Sequence, residues 1–350
     1  MQTALIVSLN FNPGHVSHMI ASYKQCEDLG YKSILYVNPK FDSFLPKEFD
    51  RVFLGEKLPE RVDVCFFLFP SEKNIGKILH LKFKCKSKCV YIFHEPSDHY
   101  SVYRKAGFTR LQLFKYMIID LINAITVRLC YAILLPSQKA LSLYDNNGLY
   151  KNKNRYYIPL MYDDELDSVQ DLETDKTYFS YIGTIANDHS FNEFLSFVKE
   201  CIKRGDAPNI RFMVATRSNL TIDDSLQKCI DSGRLSIIEG HPLTNEEINS
   251  CYKKSFAIWN AYARTTQSGV LAKSMMFGTA ALVLKQNVSE FVVPSQNVEC
   301  ILDNRSYDEI LNAIVKIRAH VDTYANNCRK AFLENFYYTK YNEEIYKIIK

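Results

Sequence analysis

The chain has 350 residues, of which 47% are hydrophobic and 23% are charged, a composition typical of a globular protein with room for two domains. The first residues lack the basic start and small-residue cleavage site of a signal peptide, so we expect a cytoplasmic protein. No apolar run reaches the roughly 18 to 20 residues that a membrane span needs.

The charges are divided unevenly between the two halves of the chain. Residues 1–160 contain 22 Lys and Arg against 13 Asp and Glu, whereas residues 161–350 contain 21 against 26. A basic half fits an anionic membrane surface, a phosphorylated ligand, nucleic acid or a solvated lysine-rich face. The ten cysteines are scattered, and Cys85 and Cys89 lack the partners that would complete a zinc site. We therefore expect free thiols and no bound metal.

Six apolar runs alternate with more helical stretches in the first half: TALIVSL, SILYV, RVFL, VDVCFFLF, CVYIFH and AILLP. This alternation predicts a parallel sheet covered on both faces. The loop NFNPGH follows the first run, and its Gly14 and His15 stand where a ligand can meet the carboxyl end of a strand. FHEPSDH follows the fifth run, where His94 and Glu95 form a titratable pair suited to holding a proton or a sugar hydroxyl. Alternatively, His94 is a core residue and Glu95 caps a helix.

A strongly apolar helix is predicted in RLQLFKYMIIDLINAITVRL. Its apolar residues recur at spacings of three and four: Leu111, Phe114, Ile118, Ile122 and Ile125. One interpretation packs this face between the domains or on the sheet. The other places the helix in the surface of a bilayer, helped by a preceding run of lysines, namely Lys77, Lys82, Lys84, Lys86 and Lys88.

The polar segment DDELDSVQDLETDKT is predicted to link two domains. A second series of apolar runs follows it: YFSYIGT, IRFMVAT, LSIIEG, FAIWNAY and AALVL. We expect an α/β protein with two Rossmann-like doubly wound domains that face each other across a cleft. The predicted domains are residues 1–165 and 166–335, and a final helix in residues 336–350 is expected to return to the first domain.

Polar residues at strand ends of the second domain predict a ligand site there. Gly183 and His189 follow the first strand, and Arg217 follows the second. The third strand is followed by Gly240, His241 and Leu243, before a helix that Thr244 and Glu247 should cap as a capping box.

The stretch ARTTQSGVLAKSMMFGTAALV, residues 263–283, supplies the rest of this site. A helix is predicted to begin near Ser268 and to end at Gly278. A glycine in its first turn lets a diphosphate approach backbone N–H groups at the positive end of the helix dipole. The predicted contributors are Arg264, Gln267, Ser268, Gly269, Val270 and Lys273.

At these residues the chain resembles the GT-B glycosyltransferases, and most closely family 4, which assembles bacterial polysaccharides. The end of the family motif, Gly-x-Pro, is resembled by FGTAALV. The family's glycine turn, acidic helix and strand are resembled by IEGHPLTNEEINSCYKKSFAIW. The segment that closes the family's first domain is resembled by RLCYAILLPSQKAL. The paired glutamates of the family would fall at Thr265 and Lys273. Its basic residues after Gly183 are also missing, since Thr184 follows directly and Asp188 or His189 stands in the later position.

The resemblance implies a hexosyltransferase that moves a sugar from a nucleotide diphosphate donor to a hydroxyl of a surface glycan. It implies a retaining reaction. We expect no metal or cofactor, because a helix start and basic side chains can stabilise the charge that develops on the leaving diphosphate. The second domain would bind the donor, and the first would bind a glycan or lipid-linked acceptor beside His15, His94, Glu95 and Gly14. We expect possible partners to include an anionic membrane surface on the inner face of the cytoplasmic membrane, but not nucleic acid. The alternatives are a two-domain small-molecule or nucleotide-binding protein without transferase activity, or a nucleotide-sugar epimerase.

Overall fold

The structure, a computed structural model, describes residues 1–105, 107–166, 172, 175–265, 268–292 and 298–350. The chain divides into two compact units. Unit 1 contains Met1–Asp163 and Phe336–Lys350, and unit 2 contains Asp164–Asn335. Each unit is built around one parallel sheet.

Seven strands form the sheet of unit 1, in the order β3-β2-β1-β4-β5-β6-β7 with every neighbouring pair parallel. They are Gln2–Ser8 (β1), Tyr31–Val37 (β2), Arg51–Phe53 (β3), Val64–Phe67 (β4), Lys88–Ile92 (β5), Ala132–Leu135 (β6) and Arg155–Tyr157 (β7). The helices are Val16–Asp28 (α1), Asn74–His80 (α2), Tyr100–Lys105 (α3), Arg110–Leu129 (α4) and Gln138–Asn146 (α5). The central strands are buried on both faces, which explains their unbroken apolar runs.

Helix α4 begins at a capping box. The Gln112 N–H donates to Thr109 Oγ1 (3.3 Å), and the Thr109 N–H donates to Gln112 Oε1 (2.8 Å). The predicted apolar face exists, but most of it lies on the surface: Leu111 is 67% exposed, Phe114 59%, Ile118 47% and Ile125 39%. The helix instead buries a face that includes Leu113, Ala124 and Val127. In the described part of the chain, no helix combines the length and apolarity needed to span a bilayer.

Six strands form the sheet of unit 2, in the order β10-β9-β8-β11-β12-β13, again with parallel neighbours. They are Tyr178–Ile182 (β8), Arg211–Ala215 (β9), Leu235–Ile238 (β10), Ser255–Trp259 (β11), Ala280–Leu284 (β12) and Ile301–Leu302 (β13). The helices are Phe191–Arg204 (α6), Asp224–Asp231 (α7), Asn245–Lys254 (α8), Gly269–Met276 (α9), Tyr307–Ala319 (α10) and Val321–Asn335 (α11). The capping box of Thr244 and Glu247 begins α8, as predicted.

Gly278 ends the helix that the sequence predicts before β12. Its φ of 59° is in the left-handed region, which glycine adopts without strain. A Cβ at this position would lie 3.1 Å from the Ala325 carbonyl oxygen of α11. The glycine therefore serves both the chain reversal and the close packing of α11.

The last residues of the chain belong to unit 1. The Tyr162 N–H donates to the Phe336 carbonyl (2.9 Å), and the Tyr338 N–H donates back to Tyr162 (3.0 Å). The Gln25 side-chain amide donates to the Tyr338 carbonyl (3.1 Å) and to Asn342 Oδ1 (3.1 Å). These bonds hold the final helix, Asn342–Ile349 (α12), to unit 1.

Candidate functional site

The strand orders identify one crevice in each unit. In unit 2 the order reverses between β8 and β11, and in unit 1 it reverses between β1 and β4. At such a reversal the loops after the two strands turn away to opposite faces of the sheet, which leaves a crevice outside the carboxyl ends. The residues to compare are therefore those that follow β8 and β11 in unit 2, and those that follow β1 and β4 in unit 1.

The loop after β8 begins at Gly183, whose φ of 138° is unusual for any other residue. A Cβ here would lie 3.8 Å from Val270 Cγ2 in the first turn of α9. The structure thus brings together Gly183 and the helix start that were predicted separately. Because glycine has no side chain, the loop after β8 and the start of α9 approach each other closely.

His189 connects the loop after β8 to the loop after β11. Its Nδ1 donates to the Thr184 carbonyl (2.7 Å), and its ring stacks on Tyr262 with centroids 4.3 Å apart and planes inclined by 11°. The Trp259 indole N–H donates to the His189 carbonyl (3.2 Å), and the Ala263 N–H donates to the Asp188 carbonyl (2.7 Å). The two loops at the crevice are therefore held in one arrangement.

Helix α9 begins where the sequence predicts, with Ser268 as the N-cap and Gly269 as the first helical residue. The Ser268 side chain does not cap the helix. It hydrogen-bonds instead to Tyr262, whose pKa is raised chiefly by burial. The first turn of α9 thus presents the positive end of a helix dipole at the β8–β11 crevice.

Lys273 is not directed at solvent. It is 7% exposed, its ammonium lies 3.2 Å from Glu165 Oε2, and it donates to Asn245 Oδ1 (2.5 Å). Glu165 Oε2 also accepts from the side-chain amides of Asn245 (2.5 Å) and Asn249 (2.8 Å). Burial lowers the pKa of Lys273, and the neighbouring Glu165 opposes that shift. The lysine predicted to meet a diphosphate is thus already paired with a carboxylate inside unit 2.

The remaining donor-side residues occupy different places. Arg217 and His241 are exposed after β9 and β10, and the His241 Nε2 lies 3.4 Å from Glu247 Oε1. At Gly240, with φ 84°, a Cβ would lie 2.9 Å from Asn219 Oδ1. Leu243 is buried. Arg217 follows β9, the neighbour of β8, whereas Gly240, His241 and Leu243 follow β10, one strand further from the crevice.

Arg264 was predicted to add positive charge, but it is only 4% exposed. Gln267 lies outside the described residues. Asn260 directly follows β11, although it lies within the apolar run FAIWNAY that the sequence predicts as a strand. It is 2% exposed, and its Oδ1 accepts no hydrogen bond from the described residues. A buried amide oxygen of this kind can accept a hydrogen bond from a ligand.

The unit 1 crevice is lined by a row of aromatic rings. His15, after β1, stacks on Phe69, after β4, with ring centroids 3.3 Å apart. Phe69 in turn contacts His94, after β5, at 4.7 Å, and His94 contacts His18 at 5.8 Å. The structure therefore brings His15 and His94 to one place, as the sequence predicts for strand ends. Gly14 and Glu95 are exposed beside them.

Burial and the neighbouring His18 lower the pKa of His94 to about 3. The imidazole is therefore neutral near pH 7. A base this weak is poorly matched to removing a proton at that pH, although a neutral imidazole can still donate or accept a hydrogen bond.

Among the described residues, no group of three or more His, Cys, Asp or Glu side chains is placed to hold a metal ion. All ten cysteines are free thiols, and all but Cys85 are buried. The thiols of Cys65 and Cys89 lie 3.2 Å apart on adjacent strands.

No protein-family model matches the sequence, and no curated protein matches it. Solved structures do share its fold. Sucrose-phosphate synthase from Thermosynechococcus elongatus has a TM-score of 0.72 at 11% identity, with 99% of this chain and 98% of the synthase covered. HepE from Anabaena, solved with UDP-glucose, has a TM-score of 0.70 at 11% identity over 99% of both chains. WaaG, a glycosyltransferase involved in lipopolysaccharide biosynthesis, has a TM-score of 0.65 at 12% identity over 99% of both chains. Together with the two parallel sheets, these similarities confirm the predicted GT-B fold of two Rossmann-like domains.

Proposed function

We propose that the protein is a glycosyltransferase that takes a sugar from a nucleoside diphosphate donor. The observation that carries this proposal is the β8–β11 crevice, where the backbone of Gly183 lies beside the first turn of α9, with a Cβ position only 3.8 Å from Val270 Cγ2. The same fold in HepE is seen with UDP-glucose. In this proposal unit 2 binds the donor and unit 1 binds the acceptor.

The leaving diphosphate is stabilised by the start of α9. N–H groups of the first helical turn and the helix dipole meet the negative charge that develops as the bond to the sugar breaks. His189 follows β8 and the exposed Arg217 follows the neighbouring strand β9. Both side chains contribute hydrogen bonds or positive charge to the donor site. The family resemblance leaves the partner of the donor's sugar hydroxyls open, because Thr265 and Lys273 stand at the positions of the family's glutamates. The buried amide oxygen of Asn260 accepts a hydrogen bond from one of these hydroxyls.

The acceptor hydroxyl binds beside His15, His94 and Glu95. His94 is neutral and orients the hydroxyl through a hydrogen bond. We propose a retaining reaction in which a donor phosphate oxygen takes the acceptor's proton, so that neither a protein base of higher pKa nor a metal ion is needed. The transferred group is a hexose, and the acceptor is a lipid-linked surface glycan.

The lipid-linked acceptor is supported by the surface of α4. Its exposed apolar side chains lie among basic residues, Arg110, Lys115 and Arg128. The one acidic residue of the helix, Asp120, accepts a hydrogen bond from Ser97 (2.7 Å) and one from the Tyr150 hydroxyl. An apolar face with cationic borders fits the boundary between head groups and acyl chains of an anionic bilayer.

A thermal-shift panel of nucleoside diphosphates and their sugars tests the donor site. We expect one nucleotide family to stabilise the protein by about 2.7 kcal/mol at 100 times its Kd, and so to raise the melting temperature by several degrees. Gly183→Ala should abolish this shift because its Cβ is placed between the loop after β8 and the start of α9, at a φ of 138° that favours glycine. Gly55→Ala is the matched control, since Gly55 also has a positive φ, 111°, with nothing within 4 Å of an added Cβ. A flat response to every nucleotide would refute the donor site.

A further inference from the structure

A second polar site lies at the other end of the unit 1 sheet. An open depression of about 350 Å³ is lined by residues that precede β5, β6 and β7 rather than follow them. The strands are parallel, so this site is at their amino ends, whereas His15 and His94 are at the carboxyl ends. The depression holds several water-sized volumes of about 30 Å³.

The depression is strongly basic. Four of its lining residues are cations, and none is acidic: Lys82, Arg128, Lys151 and Lys153. Arg128, Lys151 and Lys153 are exposed. In the described ranges, none of these four cations forms an ion pair with a carboxylate of the protein. Cations that line one depression without a protein counter-charge favour binding of an anion from outside.

The hydrogen bonds at the base of the depression do not use the charged groups of Arg128, Lys151 and Lys153. The Asn152 amide donates to the carbonyls of Val127 (3.1 Å) and Cys130 (2.8 Å) at the end of α4. Lys82 donates to the Leu129 carbonyl (2.8 Å), and Asn154 donates to the Tyr131 carbonyl (3.2 Å). These bonds satisfy carbonyls at the negative end of the α4 dipole, which would otherwise repel an anion.

The depression continues the apolar stripe of α4. Leu111, Phe114, Ile118, Leu121 and Ile125 recur at spacings of three and four, and all are exposed. Arg128 follows Ile125 by three residues, so it lies on the same face of the helix. One continuous surface thus offers an apolar strip for acyl chains and, at its end, a cationic hollow for a phosphate.

We infer that the depression binds the phosphate of an anionic lipid head group while the exposed α4 stripe contacts acyl chains. This inference rests on the membrane-surface part of the proposed function and not on the donor site. Arginine and lysine are the residues that bind phosphate, and arginine does so with two parallel hydrogen bonds.

The test compares two variants that each lose three positive charges. The site variant is Arg128→Gln/Lys151→Gln/Lys153→Gln. Lys82 is left in place because it bonds to Leu129. The control is Lys40→Gln/Lys47→Gln/Lys228→Gln, with two changes between β2 and β3 at the opposite edge of the sheet and one in unit 2; all three residues are exposed. Binding is measured to phosphatidylcholine vesicles with and without phosphatidylglycerol, and to a short-chain phosphatidic acid below its micelle concentration.

We expect the site variant to bind the phosphatidylglycerol vesicles roughly 100-fold more weakly and to lose the short-chain lipid, while the control changes vesicle binding less than about 3-fold. Equal losses in both variants would show diffuse charge attraction and overturn the inference. If inorganic phosphate binds the wild type as tightly as the short-chain lipid does, the depression is a site for free phosphate and the inference is wrong. The nucleotide-induced thermal shift of the site variant should be unchanged, which separates failure of this site from failure of the donor site.

Discussion

Lys273→Met is expected to lower the free energy of unfolding of unit 2 by about 3–5 kcal/mol. The substitution leaves the Glu165 carboxylate, whose side chain is 13% exposed, without the cation that lies 3.2 Å away. The amides of Asn245 and Asn249 still donate to this carboxylate, but they carry no charge. The measurement is chemical denaturation followed by a signal from unit 2, for example the fluorescence of Trp259.

Two further variants make this result specific to the buried pair. Glu165→Gln/Lys273→Met removes both charges and should recover much of the lost stability. Lys285→Met breaks a surface pair with Asp303 whose side chains are 73% and 71% exposed, and it should cost at most about 1 kcal/mol. If Lys273→Met costs no more than Lys285→Met, the pair is not a structural element of unit 2. Lys273→Glu should also be destabilising, because it places a second carboxylate against Glu165.

Leu111→Ser/Phe114→Ser is expected to weaken binding to anionic vesicles by roughly 100-fold or more. The two side chains are 67% and 59% exposed on the outward face of α4, and burying each in the bilayer surface contributes roughly 1.5–3 kcal/mol. Folding should not suffer, because neither side chain is part of the core. Vesicle flotation measures the effect.

The matched control for the α4 variant is Ile222→Ser/Val315→Ser in unit 2, where the side chains are 37% and 45% exposed. This pair replaces two partly exposed apolar side chains away from α4 and should leave flotation unchanged. Equal flotation of the α4 variant and the wild type would contradict a membrane role for the helix.

The sequence is sufficient to predict the fold class because the alternation of apolar runs and helical stretches is a local pattern. It also places the start of α9 at Ser268 and the capping box of α8, since helix ends have local signals. The sheets each contain one strand that the sequence does not indicate. Strands β7 and β13 have three and two residues and lie at sheet edges, so they are too short to show a hydrophobic period.

The parts of the site that the sequence leaves open depend on contacts between distant residues. Glu165 meets Lys273 from more than 100 residues away, and nothing local to either residue indicates the pair. The periodicity of α4 indicates an apolar face, but it does not say whether protein or solvent covers that face. Asn260 could have been found by one signal, a polar residue directly after a buried strand.

The central claim is that the β8–β11 crevice binds a nucleoside diphosphate sugar from which the protein transfers the sugar. The most direct test incubates the wild type with the nucleotide sugar that gives the largest thermal shift, with vesicles made from a bacterial lipid extract as the acceptor source. Chromatography then follows the release of the nucleoside diphosphate. We predict release that depends on the lipid extract and is lost in Gly183→Ala but kept in Gly55→Ala. A donor that binds tightly and stays intact under these conditions would contradict glycosyl transfer and indicate a nucleotide-binding protein instead.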